Sequence, residues 1–416
     1  MKHTILLLSA IFITTANISA QNATEGISVI TPKLPAVKNS ISNYLSADTI
    51  ISFTSETDLR GLVSNQWGNT VMFTTFTTNC KSDTVRLYSI NAETLGVDTV
   101  DIYIADLRKK IKQNLNNKIS NIAFNNSYLA INYASRLRIY KITQKQHSLY
   151  KDFEIDDSPQ EVQFLNDSIL VFSNNYYSHT PPTFISLFNI NTLKVEKDIF
   201  PHFNNLLLSY FNPHKNFDVK DNTILWANRA EYSFLVFNNN LELKDSIFHN
   251  VKVWKNLSEK TLKKARKRSK YDAADIIAII EKEYYKIDQL QWAYLIDSTH
   301  ILAVHAKPYN EKTYTFPSID IFEKNNGQWQ LTKTGIEDFA ERADTIQRNS
   351  FALELLSDPI VHFTTNNKVV KLSKHGMVAE YPIGMLGQEY NIKEWDGWQN
   401  SDPFLQITIF SHTFAE

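Results

Sequence analysis

Cysteine is almost missing from this 416-residue chain: Cys80 stands alone, so no disulfide can form within it. Stability must then come from a buried core rather than from covalent staples. Glycine is scarce as well, with 10 in the whole chain. That removes the glycine-rich loops that cradle phosphates and leaves Asn and Asp to make the tight turns. Excess charge of one sign is also lacking, since 43 Lys and Arg stand against 44 Asp and Glu for a formal net charge of −1. Such a balance supplies no overall pull toward nucleic acid or an anionic membrane. The specific enzyme signatures are missing too: no His-Glu-x-x-His zinc helix, no Gly-x-Ser-x-Gly elbow, no Cys-x-x-Cys pair and no Ser-x-Asp-x-Gly-x-Thr-Trp turn. The chain therefore reads more readily as a binding or scaffolding module than as an enzyme, and no cofactor or metal is expected.

A single long apolar run is present, at the N-terminus. Lys2 leads a stretch from Ile5 to Ile13, and Ile18-Ser19-Ala20 before Gln21 has the small residues of a cleavage site. Residues 1–20 are expected to be a secretory signal peptide. Thr14, Thr15, Asn17 and Ser19 break the run short of the ~20 apolar residues that a spanning helix needs. Gln21 rather than a cysteine stands at the cleavage point, and Cys80 lies sixty residues on, which argues against a lipid anchor. Export to the periplasm, the cell surface or the medium is the expected fate.

What the chain has in quantity is aromatic and branched side chains, including 25 Phe, 19 Tyr and 7 Trp, the set that suits half-buried pleated surfaces. They are organised as a repeat. An apolar run, a short polar turn rich in Asn or Asp and a second apolar run recur at Ile122 to Ile131, Val162 to Phe172, Phe217 to Ala227, Ala293 to Val304 and Ala352 to Phe363. A weaker copy spans Leu62 to Phe73 around Gly68-Asn69. Each reads as a hairpin. An alternating third strand follows at Val85 to Ile90, Leu137 to Ile142, Phe184 to Ile190, Phe234 to Asn238, Ile319 to Glu323 and Val369 to Leu372. A more polar fourth follows at Val97 to Ile104, Leu149 to Ile155, Val195 to Phe200, Leu243 to Phe248, Trp329 to Thr334 and Val378 to Ile383.

Six four-stranded meanders, most apolar in their first two strands, predict an all-β fold: a six-bladed β-propeller of four-stranded antiparallel blades over residues 48–384. Two stacked β-sandwiches are the alternative, which the repeated order of strand polarity disfavours. Residues 21–47, with Pro32 and Pro35, are expected to form an extended arm, and residues 385–416 a C-terminal extension. Thr49 to Thr54 and Phe404 to Ser411 compete as the strand that closes the ring. A helical hairpin insertion is expected at residues 257–287. There Asp272 and Asp275 suit an N-cap, and Ala273, Ile276, Ile277, Ile280 and Tyr284 share one helical face.

The Asn and Asp hairpins, with the strand ends Leu-Tyr-Ser-Ile-Asn at 87–91, Leu-Phe-Asn-Ile-Asn at 187–191 and Leu-Val-Phe-Asn-Asn at 235–239, resemble those of secreted six-bladed TolB-like β-propellers, including uncharacterised ones of Bacteroidetes. The resemblance covers roughly residues 50 to 385. It implies an architecture, and no catalytic residue comes with it.

Antiparallel connectivity sorts the loops onto two faces. One carries the short turns, and the other carries every long connection: residues 105–117, 174–183, 201–215, 253–287, 305–317 and 336–349. Binding residues concentrate on variable loops held by a rigid scaffold. The expected ligand-binding residues on this face are Tyr176, Tyr177, His179, Trp226, Arg229, Tyr232, His305 and Tyr309. Flat amphipathic rings beside amides suit a glycan or a peptide, and a partner protein is a third ligand class. Packing of the loops against one another is the bland explanation of the same residues. Lys263, Lys264, Arg266, Lys267 and Arg268 form a basic run that suits an acidic partner or an anion, and equally a solvated helix face.

The competing function is a hydrolase or lyase using dispersed groups such as Glu231, His179 and His305. His179, His202, His214 and His305 converging would suit a metal, but scattered histidines are usually structural. Asp167, Asp221 and Asp297 would be the residues for an axial calcium, though turn formation accounts for them. The oligomeric state cannot be read from the sequence.

Overall fold

The computed structural model describes residues 27–30, 44–54, 61–76, 84–104, 119–133, 136–143, 147–154, 161–173, 185–199, 217–228, 232–248, 258, 260–261, 263–264, 288–306, 308–310, 313–314, 318–337, 360–375 and 404–415. Two N-terminal strands, β1 (Ile27–Ile30) and β2 (Leu45–Thr54), precede the first blade. Blade one is β3 (Gly61–Trp67), β4 (Thr70–Phe76), β5 (Thr84–Asn91) and β6 (Val97–Tyr103). Blade two is β7 (Ile119–Phe124), β8 (Tyr128–Tyr133), β9 (Arg136–Ile142) and β10 (His147–Glu154). Blade three is β11 (Glu161–Phe164), β12 (Ile169–Ser173), β13 (Ile185–Asn189) and β14 (Lys194–Ile199). Blade four is β15 (Phe217–Lys220), β16 (Thr223–Asn228), β17 (Ser233–Phe237) and β18 (Leu243–Phe248).

Blade five is β19 (Gln289–Asp297), β20 (His300–Ala306), β23 (Ser318–Asn325) and β24 (Gln328–Glu337). A small hairpin of β21 (Pro308–Asn310) and β22 (Thr313–Tyr314) lies between its second and third strands. Blade six takes β25 (Ile360–Phe363), β26 (Lys368–His375) and β27 (Phe404–His412) from the C-terminal part of the chain, and β2 as its fourth strand. β1 adds a fifth strand outside β2.

The first strands lie side by side around an axis: β3 beside β7, then β11, β15, β19 and β25, which returns to β3. That closed circuit makes the six sheets a six-bladed propeller. The core is divided accordingly into six apolar clusters, one between each pair of neighbouring blades. Between blades one and two, for example, Leu87 and Ile102 meet Ile122 and Ile131. Burial on both faces explains the near-continuous apolar runs of the inner strands, while the outer strands alternate or turn polar.

The expected hairpins of blades one to five hold, and each third and fourth strand follows where the pattern placed it. The last blade is a correction. Ile360–Phe363 is its first strand rather than its second, and Val369 to Leu372 belongs to the second strand rather than the third. Both terminal candidates are used, as β2 and β27 pair with each other from Leu45 and His412 to Thr54 and Phe404. Lys368, Asp48 and Ser411 lock this seam: the Lys368 ammonium donates to Asp48 Oδ2 at 2.7 Å and to Ser411 Oγ at 2.8 Å, and Ser411 donates to Asp48 at 2.7 Å. Val378 to Ile383 lies outside the described residues. Of the insertion at 257–287, Lys260, Thr261, Lys263 and Lys264 have helical backbone, and Ser258 Oγ accepts the Thr261 N–H at 3.2 Å as a cap. The remainder of the expected helical hairpin lies outside the described residues. No described helix is long and apolar enough to cross a membrane.

Near the axis, inner strands are tied together at one level. The residues opposite the third position of the second strand are Asn65, Ala123, Gln163, Asp218 and His362 in blades one to four and six. Asn65 Nδ2 of blade one donates to Val162 O of blade three at 3.2 Å. Gln163 Oε1 accepts the Val219 N–H at 3.0 Å, and Asp218 Oδ2 accepts the Leu295 N–H at 2.9 Å. His362 Nε2 and Ser64 Oγ are 2.7 Å apart. These side chains bond polar groups on other inner strands, which tethers the blades to one another.

Candidate functional site at the long-loop face

The two ends of the propeller differ in chemistry. At the short-turn end, Asn side chains close their own turns: the Oδ1 atoms of Asn91, Asn125, Asn166, Asn189 and Asn238 each accept two backbone N–H groups two to four residues on. Asp221 and Asn222 have φ of 49° and 60°, the left-handed pair of a two-residue hairpin turn. Asp297 accepts the Thr299 N–H at 2.7 Å and lies 2.9 Å from His300 Nδ1. Among the described residues, no three His, Cys, Asp or Glu side chains form a metal-holding group.

At the same end the axis is bridged. Lys220, the last residue of β15, donates to the carbonyl of Ile296 in blade five and to those of Phe363 and Thr364 in blade six, the latter two at 3.0 and 3.4 Å. From the opposite side, Gln66 of β3 donates to the same Phe363 carbonyl at 2.5 Å. An ammonium surrounded by carbonyl oxygens is well satisfied, since every one of its protons can find an acceptor. Side chains from blades one and four thus meet at blade six across the axis.

At the long-loop end, blades four and five share a buried polar network. Asp320 sits in the third strand of blade five with 1% of its surface exposed. Its Oδ2 accepts the Tyr232 hydroxyl at 2.5 Å and lies 3.2 Å from His305 Nε2. Its Oδ1 accepts the Thr334 hydroxyl at 2.8 Å and the Gly335 N–H at 3.0 Å. A bulge in β24 turns these last two donors inward. It requires φ of +64° at Gly335, where an added Cβ would meet nothing within 4 Å, so the constraint there is backbone conformation rather than space.

Burial pushes the Asp320 carboxyl up. The hydrogen bond and charge of His305, then Tyr232 and the Gly335 N–H, outweigh it and hold the group at about 2. Asp320 is therefore ionised and accepts only, so His305 Nε2 carries a proton. Burial and the Asp320 charge push the Tyr232 hydroxyl well above its usual range. Tyr232 also has φ of 49°, a strained value for a bulky residue, which aims its ring into the blade interface, 5.3 Å from the His305 ring. Opposite, in blade two, Arg136 and Arg138 both reach Asp152, at 2.7 and 3.1 Å.

Of the residues expected to bind a ligand, the structure brings Tyr232 and His305 together, at the start of β17 and the end of β20. Tyr232 is fully buried, and His305 has 12% of its side chain exposed. Trp226 is buried in the cluster between blades three and four. Tyr309 lies on β21, and Tyr176, Tyr177, His179 and Arg229 lie outside the described residues. Lys263 and Lys264 are exposed, while Arg266, Lys267 and Arg268 lie outside the described residues. Asp320, Thr334 and Gly335 were missed. Asp320 had a signal, as the single charge within the apolar run Ile319 to Phe322.

No family model matches the chain, and no curated protein matches it by sequence. Among solved structures, a protein of Bacteroides fragilis described as exported is similar at 9% identity and a TM-score of 0.47, over 90% of this chain and 97% of that one. A member of the DUF4221 family from Bacteroides vulgatus is similar at 8% identity and a TM-score of 0.48, over 89% and 98% of the two chains. At these scores neither likeness carries a functional argument, and the propeller rests on the strand pairings of this chain itself.

Proposed function

We propose that this chain is an exported, non-enzymatic binding or scaffolding propeller. It recognises a glycan, a peptide or a partner protein at its long-loop face. Lys220 and Gln66 bridging the short-turn end of the axis carry the reading, because they leave the opposite mouth as the end where a ligand can enter. The composition of the long loops adds to it, with Tyr176, Tyr177, His179, Arg229 and Tyr309 as the contact residues and His305, Tyr232 and Trp226 as their support. Residues 1–20 direct export and are removed. The basic run from Lys263 to Arg268 serves as a second docking element for an acidic partner, and that association weakens as salt rises.

Replacing Tyr176, Tyr177 and Tyr309 together with Ala tests the site. Retention on a glycan array or on an immobilised partner is expected to be lost while the melting temperature holds, and unchanged retention defeats the assignment. A hydrolase or lyase working through His305 is the second reading. It is weakened by the burial of His305 Nδ1, which gives a substrate no route to that nitrogen.

A further inference from the structure

The outer edges of the six blades are not equally protected. An exposed edge strand invites pairing with another chain, and a bulge discourages it by breaking the ladder and twisting the strand away. β10 carries an irregularity between Leu149 and Lys151. β14 and β18 shift register at Glu196 and Lys244, and β24 shifts twice. In blade six β2 shifts at Asp48 and is covered by β1. β6 alone among the fourth strands pairs without interruption, from Thr84 and Tyr103 to Ile90 and Val97, over seven residues; β1 outside blade six is also regular but has only four. Its side chains are mostly open to solvent, and Tyr103 is 63% exposed.

We propose that β6 is a homotypic interface, at which a second copy of this chain pairs antiparallel about a two-fold axis through Val100. The sequence Val97-Asp-Thr-Val-Asp-Ile-Tyr103 fits itself in that register. Val97 falls opposite Tyr103, a favourable branched-aromatic pair, Asp98 opposite Ile102 and Thr99 opposite Asp101. No two carboxylates stand directly opposed. Asp101 is ion-paired with Arg86 on β5, whose guanidinium donates to it at 2.8 and 2.9 Å and keeps it ionised. The joined sheet runs through both first blades as eight strands. An edge contact of this length is small, so the dimer is weak, with a dissociation constant on the order of micromolar.

Sedimentation equilibrium of the mature chain across a concentration series tests the pairing. A monomer–dimer equilibrium is expected. Thr99→Asp sets a carboxylate against Asp101 of the second copy and should weaken the dimer, whereas Thr99→Lys sets an ammonium there and should tighten it. Because the two-fold repeats each pair, the change should be about two- to thirty-fold in opposite directions. Thr99 is exposed, so neither variant threatens folding. A monomer up to ~100 µM, well above a micromolar constant, overturns the proposal. So does a dimer that both substitutions shift the same way or not at all.

Discussion

Tyr232 of blade four donates its hydroxyl to Asp320 of blade five at 2.5 Å, across a boundary otherwise packed with Phe234, Phe322 and Leu295. The bond joins two blades through fully buried groups. Replacing Tyr232 with Phe keeps the ring and removes one of the donors to an ionised carboxylate. The loss should cost about 1–3 kcal/mol, read as a lower urea midpoint with an unchanged slope.

Acid should destabilise the protein in two stages. His412 is stacked on Phe414 and edge-on to Phe363, and neither ring nitrogen has a hydrogen-bond partner among the described residues. Burial, helped by the Lys220 charge, brings it down from 6.5 to about 4. The unfolded chain therefore takes up this proton first. Stability is intact above pH 6.5, declines as the pH falls to about 4 and levels off below. The difference corresponds to about 3 kcal/mol. Asp320 acts lower: its contribution is present above pH 3.8 and is lost as the pH falls through about 2. His412→Phe should flatten the first stage and leave the second. Denaturant midpoints at pH 7, 5 and 4 that decline equally in both proteins would refute the assignment.

Lys220→Met should act on both the axis and that titration. Three carbonyls lose their charged donor, at a cost of about 1–3 kcal/mol. Since the Lys220 charge helps to depress His412, its removal should raise the histidine toward 6.5 and lift the lower limit of the first acid stage above pH 4. Carbon-13-labelled imidazole followed by NMR reads the histidine directly. An unmoved titration would mean that the Lys220 charge plays no part in depressing it.

The five hairpins of blades one to five could be read from the sequence because they are local: two apolar runs and an Asn or Asp turn contain all their own partners. Blade six could not, because β26 finds β27 after a long gap and β27 then pairs with β2 from the other end of the chain. Apolar periodicity carries no mark of such distant pairing. The axial tethers were partly legible. Aligning the hairpins of blades one, three and four at their turns places Asn65, Gln163 and Asp218 at one level, polar residues where a core strand calls for apolar ones, while His362 joins them only once the true blade-six hairpin is known. The Tyr232–Asp320 contact was half visible, since Tyr232 stood out as a loop aromatic while its acceptor lay on a different blade.

The seam of blade six sets a timetable for assembly. Asp48 and Ser411, hydrogen-bonded to each other, are 363 positions apart, so the second strand to be synthesised waits for the last one. Five blades can form meanwhile, but the circle stays an open arc with two bare apolar flanks. A protein built this way must be kept from sticking to its neighbours until its tail arrives, and premature termination leaves every earlier blade made yet the molecule unsealed.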